Sequence, residues 1–179
     1  TVHFPIWHQE IEDILVLKNN KGTEDNRVRK LDYSIQISKL FYERFIQDEE
    51  ISLFSPHSVP DLFESFGTPD FDELYCNYEN DKSIPRTTIG AQELIMDLLK
   101  ERSETGRIYI MNIDHCNEHS SFKDKVSMSN LCQEITLPTE PIQHIDSIDG
   151  EIALCILSAI NVGKIGRLEE LEDLCDLSV

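Results

Sequence analysis

At 179 residues and 20.7 kDa, with 40% apolar residues, the chain is long enough to bury the core of one globular domain, and a second domain is not expected. Thirty-four acidic residues against 16 basic ones give a formal net charge of −18, and the acids are spread over helical patterns rather than massed in a tail. This balance argues against a nucleic-acid partner, which requires a basic footprint on phosphates, and makes solubility the plain reason for the acidity.

In chain order, Trp7, Ile11, Ile14, Leu15 and Leu17 recur at helical spacing and predict a first helix over residues 6–18, stopped by Asn19-Asn20-Lys21-Gly22. After a polar loop, Tyr33, Ile37, Leu40, Phe41 and Arg44/Phe45 mark one face of a second helix. Ile51-Ser52-Leu53-Phe54 is a short strand ended by Ser55-Pro56. Two acidic amphipathic pieces follow at residues 61–66 and 71–78. Ala91, Leu94, Ile95, Leu98 and Leu99 then predict a helix over residues 88–102, closed by Gly106. Residues 107–113, apolar on both faces, read as a strand covered on both sides, as in a parallel α/β sheet. Residues 152–160 read as a second strand of that kind, bracketed by Gly150 and Gly163. Between the two lies a long segment, residues 114–149, with little periodicity; long loops in compact domains are often functional. The first residue is not Met, and the helical pattern after Leu168 stops without a cap, so a fragment of a longer chain is expected.

No run of about eighteen apolar residues and no secretory leader is visible, so neither a membrane partner nor export is expected. The five cysteines (Cys76, Cys116, Cys132, Cys155, Cys175) are irregularly spaced without a C-x-x-C, which fits reduced thiols in a cytoplasm.

Two stretches could carry chemistry. Asp114-His115-Cys116-Asn117-Glu118-His119 is dense in metal ligands, yet it supplies too few well-spaced ligands for a structural zinc site. A loop bonding its own backbone is the stronger reading, and no metal is expected. In Ser129-Asn130-Leu131-Cys132-Gln133-Glu134 an amide, a thiol and a carboxylate alternate. In an extended chain, with a rise of ~3.3 Å per residue, Asn130, Cys132 and Glu134 share one face while Leu131 and Gln133 look away. An edge strand with an inert cysteine is the plain alternative. A thiolate nucleophile is disfavoured, because Glu134 would raise the thiol pKa. A neutral thiyl radical does not feel that charge and leaves Glu134 free to act as a base. Cys155 reads either as a redox thiol or as a small core hydrophobe.

Leu17-Lys18-Asn19-Asn20-Lys21-Gly22 with Asp32-Tyr33, Leu53-Phe54-Ser55-Pro56-His57, Gly106-Arg107-Ile108-Tyr109-Ile110, Asp114-His115-Cys116-Asn117, Ser129 through Ile135, and Gly150-Glu151-Ile152-Ala153-Leu154-Cys155 occur here in order. Together they closely resemble the catalytic large subunit of class I ribonucleotide reductase of the bacterial kind, over essentially the whole chain. The resemblance implies a segment of a ten-stranded α/β barrel whose finger loop carries Cys132 into the barrel centre. It implies that Cys132 becomes a thiyl radical that removes the 3′ hydrogen of a ribonucleoside diphosphate. Glu134 would be the base on the 3′ hydroxyl, and Asn130 would bind the substrate and support departure of the 2′ oxygen. Cys155 would be one of two thiols that reduce the 2′ position and end as a disulfide.

For the parent protein, the resemblance implies ATP and deoxynucleotide effectors and a metal-generated radical supplied by a small subunit. It also implies a thioredoxin or glutaredoxin reductant and a homodimer of large subunits. The fragment alone is expected to be inactive. Residues 122–128 depart from the family's usual pattern, being shorter and lacking a Pro-x-Arg. Two other readings of the residues stay open: a thiol or metal-binding redox protein using His115, Cys116 and His119, and an acidic non-catalytic interaction domain.

Overall fold

The computed structural model describes residues 1–178 and divides them into two compact units, Thr1–Thr139 and the remainder from Glu140. In the first unit the order is β1 (Val2–Pro5), α1 (Ile11–Leu15), a 3-10 turn (Glu24–Asn26), β2 (Tyr33–Ile37), α2 (Lys39–Gln47) and β3 (Glu50–Leu53). Next come α3 (Pro60–Ser65), α4 (Phe71–Asn80), β4 (Thr87–Gly90), α5 (Ala91–Thr105), β5 (Ile108–Asn112) and α6 (Ile113–Glu118).

β1, β2 and β5 form a parallel sheet with β2 in the centre, and β3 and β4 form an antiparallel pair. All five residues of β2 are buried, as a central parallel strand requires. The expected α/β class is therefore present, and β5 is the predicted strand at residues 107–113 shortened by one residue at each end.

Two expectations fail at the start of the chain. The helix foreseen over residues 6–18 shrinks to α1, and the residues before it form β1. Val2 N–H donates to Asp32 O and Ile6 N–H to Gln36 O, both at 3.0 Å, so β1 lies ahead of the expected helix and the pairing with β2 extends to Ile6, the first residue assigned to that helix. The helix foreseen from Tyr33 begins only at Lys39. Tyr33, Ile35 and Ile37 also satisfy a period of two, and pairing with β1 and β5 on both sides decides for the strand.

An aromatic cluster lies within an otherwise aliphatic core. Phe66 and Phe71 have ring centroids 4.6 Å apart, Phe41 stands edge-on to Tyr75 at 5.3 Å, and Trp7 contacts Phe66 at 5.9 Å. The Tyr75 hydroxyl donates to Ser52 O at 2.7 Å and accepts from Ser52 N–H at 2.8 Å, which ties α4 to β3. Burial holds that phenol well above its ordinary pKa, so it stays protonated. The α5 helix ends at Gly106 in the left-handed region (φ 64°), as its sequence predicted. At Gly67 (φ +88°) a Cβ would stand 2.6 Å from Ile113 Cγ1, so only glycine lets the loop after α3 approach α6.

The second unit contains a 3-10 turn (Val162–Lys164) and α7 (Glu170–Ser178), which realises the helical pattern after Leu168. The strand expected at residues 152–160 is not formed. This stretch is irregular and exposed, with Ile152 73%, Leu154 79% and Ile156 89% accessible. A doubly covered strand draws its hydrogen bonds and its cover from neighbouring strands, and among the described residues none pairs with this one.

Candidate functional site

The segment that leads to Cys132 has no regular secondary structure, so its backbone groups find partners elsewhere. Asn117, on α6, accepts from Val126 N–H through Oδ1 at 2.8 Å and donates from Nδ2 to Val126 O at 3.0 Å and to Ile113 O at 2.9 Å. Val126 is fully buried beneath this clamp. Gln36, on β2, donates from Nε2 to Ser127 O at 2.7 Å. Lys125 Nζ donates to Glu64 O at 2.5 Å. Three separate elements thus hold one strap; the bonds from Asn117 and Gln36 satisfy the backbone of Val126 and Ser127, which an irregular chain would otherwise leave open, and the Lys125 side chain ties the strap to α3.

His3 on β1 fixes the end of the strap. Its Nε2 lies 3.0 Å from Ser129 O and its Nδ1 lies 2.7 Å from Ser34 Oγ. With Nε2 protonated the neutral ring donates to Ser129 O and accepts from the Ser34 hydroxyl at Nδ1; with Nδ1 protonated it donates to Ser34 Oγ and accepts from Ser129 N–H at 3.3 Å, and either tautomer ties β1 to Ser129. Burial lowers the His3 pKa below 6.5, against the opposing pull of the Ser129 carbonyl. Because the folded form binds the proton less readily than the unfolded form, this anchor stabilises the fold above about pH 6.5 and weakens as pH falls below it. In a full-length subunit carrying this sequence, amide exchange of residues 127–135, corrected for intrinsic chemistry, should lose protection as pH falls below about 6.5. His3→Gln should flatten that dependence; an unchanged slope would remove His3 from this role.

Beyond the strap the chain turns back on itself. Gln133 N–H donates to Asn130 O at 3.2 Å, so residues 130–133 form a reverse turn, and Gln133 takes a left-handed φ of 67°. Ile135 N–H donates to Asn130 Oδ1 at 3.1 Å, and Ser129 Oγ donates to Ile135 O at 2.5 Å, closing the base of the loop. Cys132 and Glu134 are exposed and Asn130 is half-buried.

The predicted extended alternation is therefore corrected. Asparagine bonds neighbouring backbone and favours the first turn position, and here that local bond outcompetes the extended chain. Leu131 and Cys132 become the two central residues of a turn. The amide of Asn130 is engaged inside the loop, and the convergence of Asn130, Cys132 and Glu134 on one face does not follow from the backbone. Cys155 is exposed and belongs to the second unit.

The other candidate stretch, expected as a loop, is instead helix α6 and serves the scaffold. Asp114 Oδ2 accepts from Lys39 N–H at 2.6 Å, which places a carboxylate on the first turn of α2. Burial, and then the charge of Asp114, raises the Cys116 thiol pKa and so suppresses thiolate. The rings of His115 and His119 lie 6.1 Å apart, and among the described residues no group of three or more His, Cys, Asp or Glu side chains is placed to hold a metal ion. No helix among them is long and apolar enough to cross a membrane.

His3, Ser34, Gln36 and Asn117 were not singled out from the sequence as part of this site. A signal existed in β2, where Ser34 and Gln36 stand among Tyr33, Ile35 and Ile37; polar side chains on a buried strand require partners.

Residues 1–179 match the family described as "Ribonucleotide reductase, barrel domain". The chain is 55% identical over 168 residues to the ribonucleoside-diphosphate reductase subunit alpha of Haemophilus influenzae, covering 91% of this chain and 22% of that protein. It is 50% identical over 147 residues to the ribonucleoside-diphosphate reductase 1 subunit alpha of Escherichia coli, covering 79% and 19%. Against the ribonucleoside-diphosphate reductase large subunit of Dictyostelium discoideum it is 36% identical over 161 residues, covering 89% and 18%. The chain spans about a fifth of the length of these relatives. A parallel α/β sheet, a loop strapped to it with a cysteine at its turn, and a family match from end to end agree, and the chain belongs to the ribonucleotide reductase barrel-domain family.

Proposed function

We propose that these residues are the catalytic-core segment of a ribonucleoside-diphosphate reductase alpha subunit, and that the loop bearing Cys132 is the finger loop of a ten-stranded barrel. The observation that carries this reading is the Cys132 turn, exposed at its tip and clamped at its base to β1, β2 and α6. Such a mount lets a thiol project away from the sheet while its root stays fixed.

In the proposed reaction Cys132, as a thiyl radical, takes the 3′ hydrogen atom of a ribonucleoside diphosphate and becomes a thiol. The transfer creates no charge on sulfur, so the neighbouring Glu134 carboxylate does not oppose it and can accept the proton of the 3′ hydroxyl, which it returns when the 3′ carbon is re-reduced. Asn130 orients the substrate as the 2′ hydroxyl leaves as water. Cys155 and a second thiol supply two electrons and two hydrogens and end as a disulfide, after which Cys132 returns its hydrogen to the 3′ carbon and recovers the radical. This requires Asn130 to exchange its contact with Ile135 for the substrate on binding.

The partners that follow are a radical-generating small subunit, a thioredoxin or glutaredoxin reductant, and a second large subunit. ATP and deoxynucleotides act as effectors of the whole protein, metal-generated radical chemistry comes from the small subunit, and the setting is the cytoplasm. The test is product analysis of the full-length subunit supplied with its small subunit and a dithiol reductant. Deoxyribonucleoside diphosphate should form, and Cys155→Ser should replace it with substrate breakdown and free base. A full-length protein that forms no deoxyribonucleotide, or a Cys155→Ser variant with ordinary product yield, would overturn the assignment.

A further inference from the structure

A polar depression of about 490 Å³ opens at the N-terminal ends of β2 and β5. Four cations line it, Lys18, Arg29, Lys30 and Arg107, together with one carboxylate, Asp32. In a chain with 16 basic and 34 acidic residues, four cations around one concavity run against the composition. The site is remote from the Cys132 turn in its attachment: α6, which clamps that segment, leaves the opposite end of β5.

The four cations differ in freedom. Lys18 is buried and closes on Asp32 at 2.6 Å. Arg29 is fixed by Glu24, with Nε 2.8 Å from Oε2 and Nη2 2.5 Å from Oε1, and by Asn20 Oδ1 at 3.0 Å from Nη1. Lys30 and Arg107 are exposed, and neither side chain makes a hydrogen bond or ion pair among the described residues. Arg107 is near enough to Asp32 to add, behind the Lys18 hydrogen bond, to the lowering of that carboxyl's pKa. With Asp32 offsetting Lys18 and Glu24 offsetting Arg29, the charges of Lys30 and Arg107 remain uncompensated.

Two uncompensated cations beside a fixed guanidinium are a receptor for an anion with several oxygens. Arg107 offers a planar fork, Lys30 a mobile point charge, and Arg29 a positive wall that costs no further ordering. The acidity of the rest of the chain is screened beyond about 8 Å at physiological ionic strength, so the local cations dominate the field in the depression. Its compact, concave form suits a small ion better than an extended acidic peptide, which needs a groove or a sheet edge.

We propose that this depression binds a small multivalent oxyanion of the polyphosphate type, held by Lys30 and Arg107 against the fixed Arg29. The experiment uses the full-length subunit. Acetylation of Lys30 by an amine-reactive ester is followed by peptide mass spectrometry at constant ionic strength, with and without inorganic tripolyphosphate, and exposed Lys100 is the internal control. Lys30 should be protected about tenfold at saturating anion, Lys100 should be unaffected, and Arg107→Glu should abolish the protection while leaving Lys30 reactive. A nucleoside triphosphate run beside tripolyphosphate tells by relative potency whether the phosphate chain is bound free or esterified; protection by either supports the site. Absence of protection by both, equal protection of Lys100, protection that survives Arg107→Glu, or protection by an acidic peptide alone would overturn the proposal.

Discussion

Cys132→Ser in the full-length subunit is expected to lower deoxyribonucleotide formation by at least about a thousandfold, because a hydroxyl cannot carry the sulfur-centred radical that the proposed reaction starts from. The substitution exchanges sulfur for oxygen at the centre of an exposed turn. Its effect on stability should stay within about 0.5 kcal/mol. The thermal melt therefore separates lost chemistry from lost structure. Cys116→Ser is the matched control: that thiol is half-buried on α6, its pKa is raised by burial and by Asp114, and no step in the proposed reaction uses it. Turnover in Cys132→Ser within about tenfold of the parent would remove Cys132 from the radical step, whatever the family match says of the fold.

The Cys132 region also shows which parts of the protein the sequence reveals. The amide, thiol and carboxylate were recognisable as a group from residue types alone, because their order matches a known pattern. Their arrangement was not. Asn130 chose a turn by bonding Ile135, and the loop's root is held by His3 and Gln36, which are 126 and 91 residues away from their partners in the strap. No window along the chain contains those bonds.

The same division runs through the fold. Helix α5 was legible because Ala91, Leu94, Ile95 and Leu98 lay an apolar stripe on the core, and the two acidic amphipathic pieces fall on α3 and α4. For β2 both periods fitted, and only its partners on either side decide between them. Residues 152–160 show the reverse case, where an apolar run with strand composition finds no partner among the described residues and stays irregular. The helix α5 could be read locally, whereas β1 and β2 depended on partners distant in sequence.

The second large effect concerns the scaffold. Arg44 of α2 reaches α4, where Nη1 meets Glu79 Oε1 at 2.6 Å and Nη2 meets Oε2 at 2.5 Å. Nη1 also donates to Glu50 O of β3 at 2.9 Å, and the guanidinium carbon lies 4.9 Å from the centroid of the Tyr75 ring. The two side chains retain only 11% and 19% of their exposure, so this is a bidentate pair largely withdrawn from water, and it joins three elements. Glu79 is the main reason that Arg44 holds its proton more tightly than a free arginine, against the opposing effect of burial. Glu79→Ala strands the guanidinium among Tyr75, Cys76 and the Glu50 carbonyl of β3 without its paired carboxylate. It should cost about 3–5 kcal/mol, since an uncompensated buried charge is penalised far more than the intact pair contributes. In the full-length subunit the readout is native-state amide exchange of α2 and α4, where about 3 kcal/mol corresponds to a loss of protection of roughly a hundredfold. Arg44→Met combined with Glu79→Leu removes both charges at similar volume and should restore most of that protection. If the double variant is as unprotected as Glu79→Ala, packing rather than charge holds α2 on α4; if Glu79→Ala leaves exchange unchanged, the pair contributes no more than an exposed one.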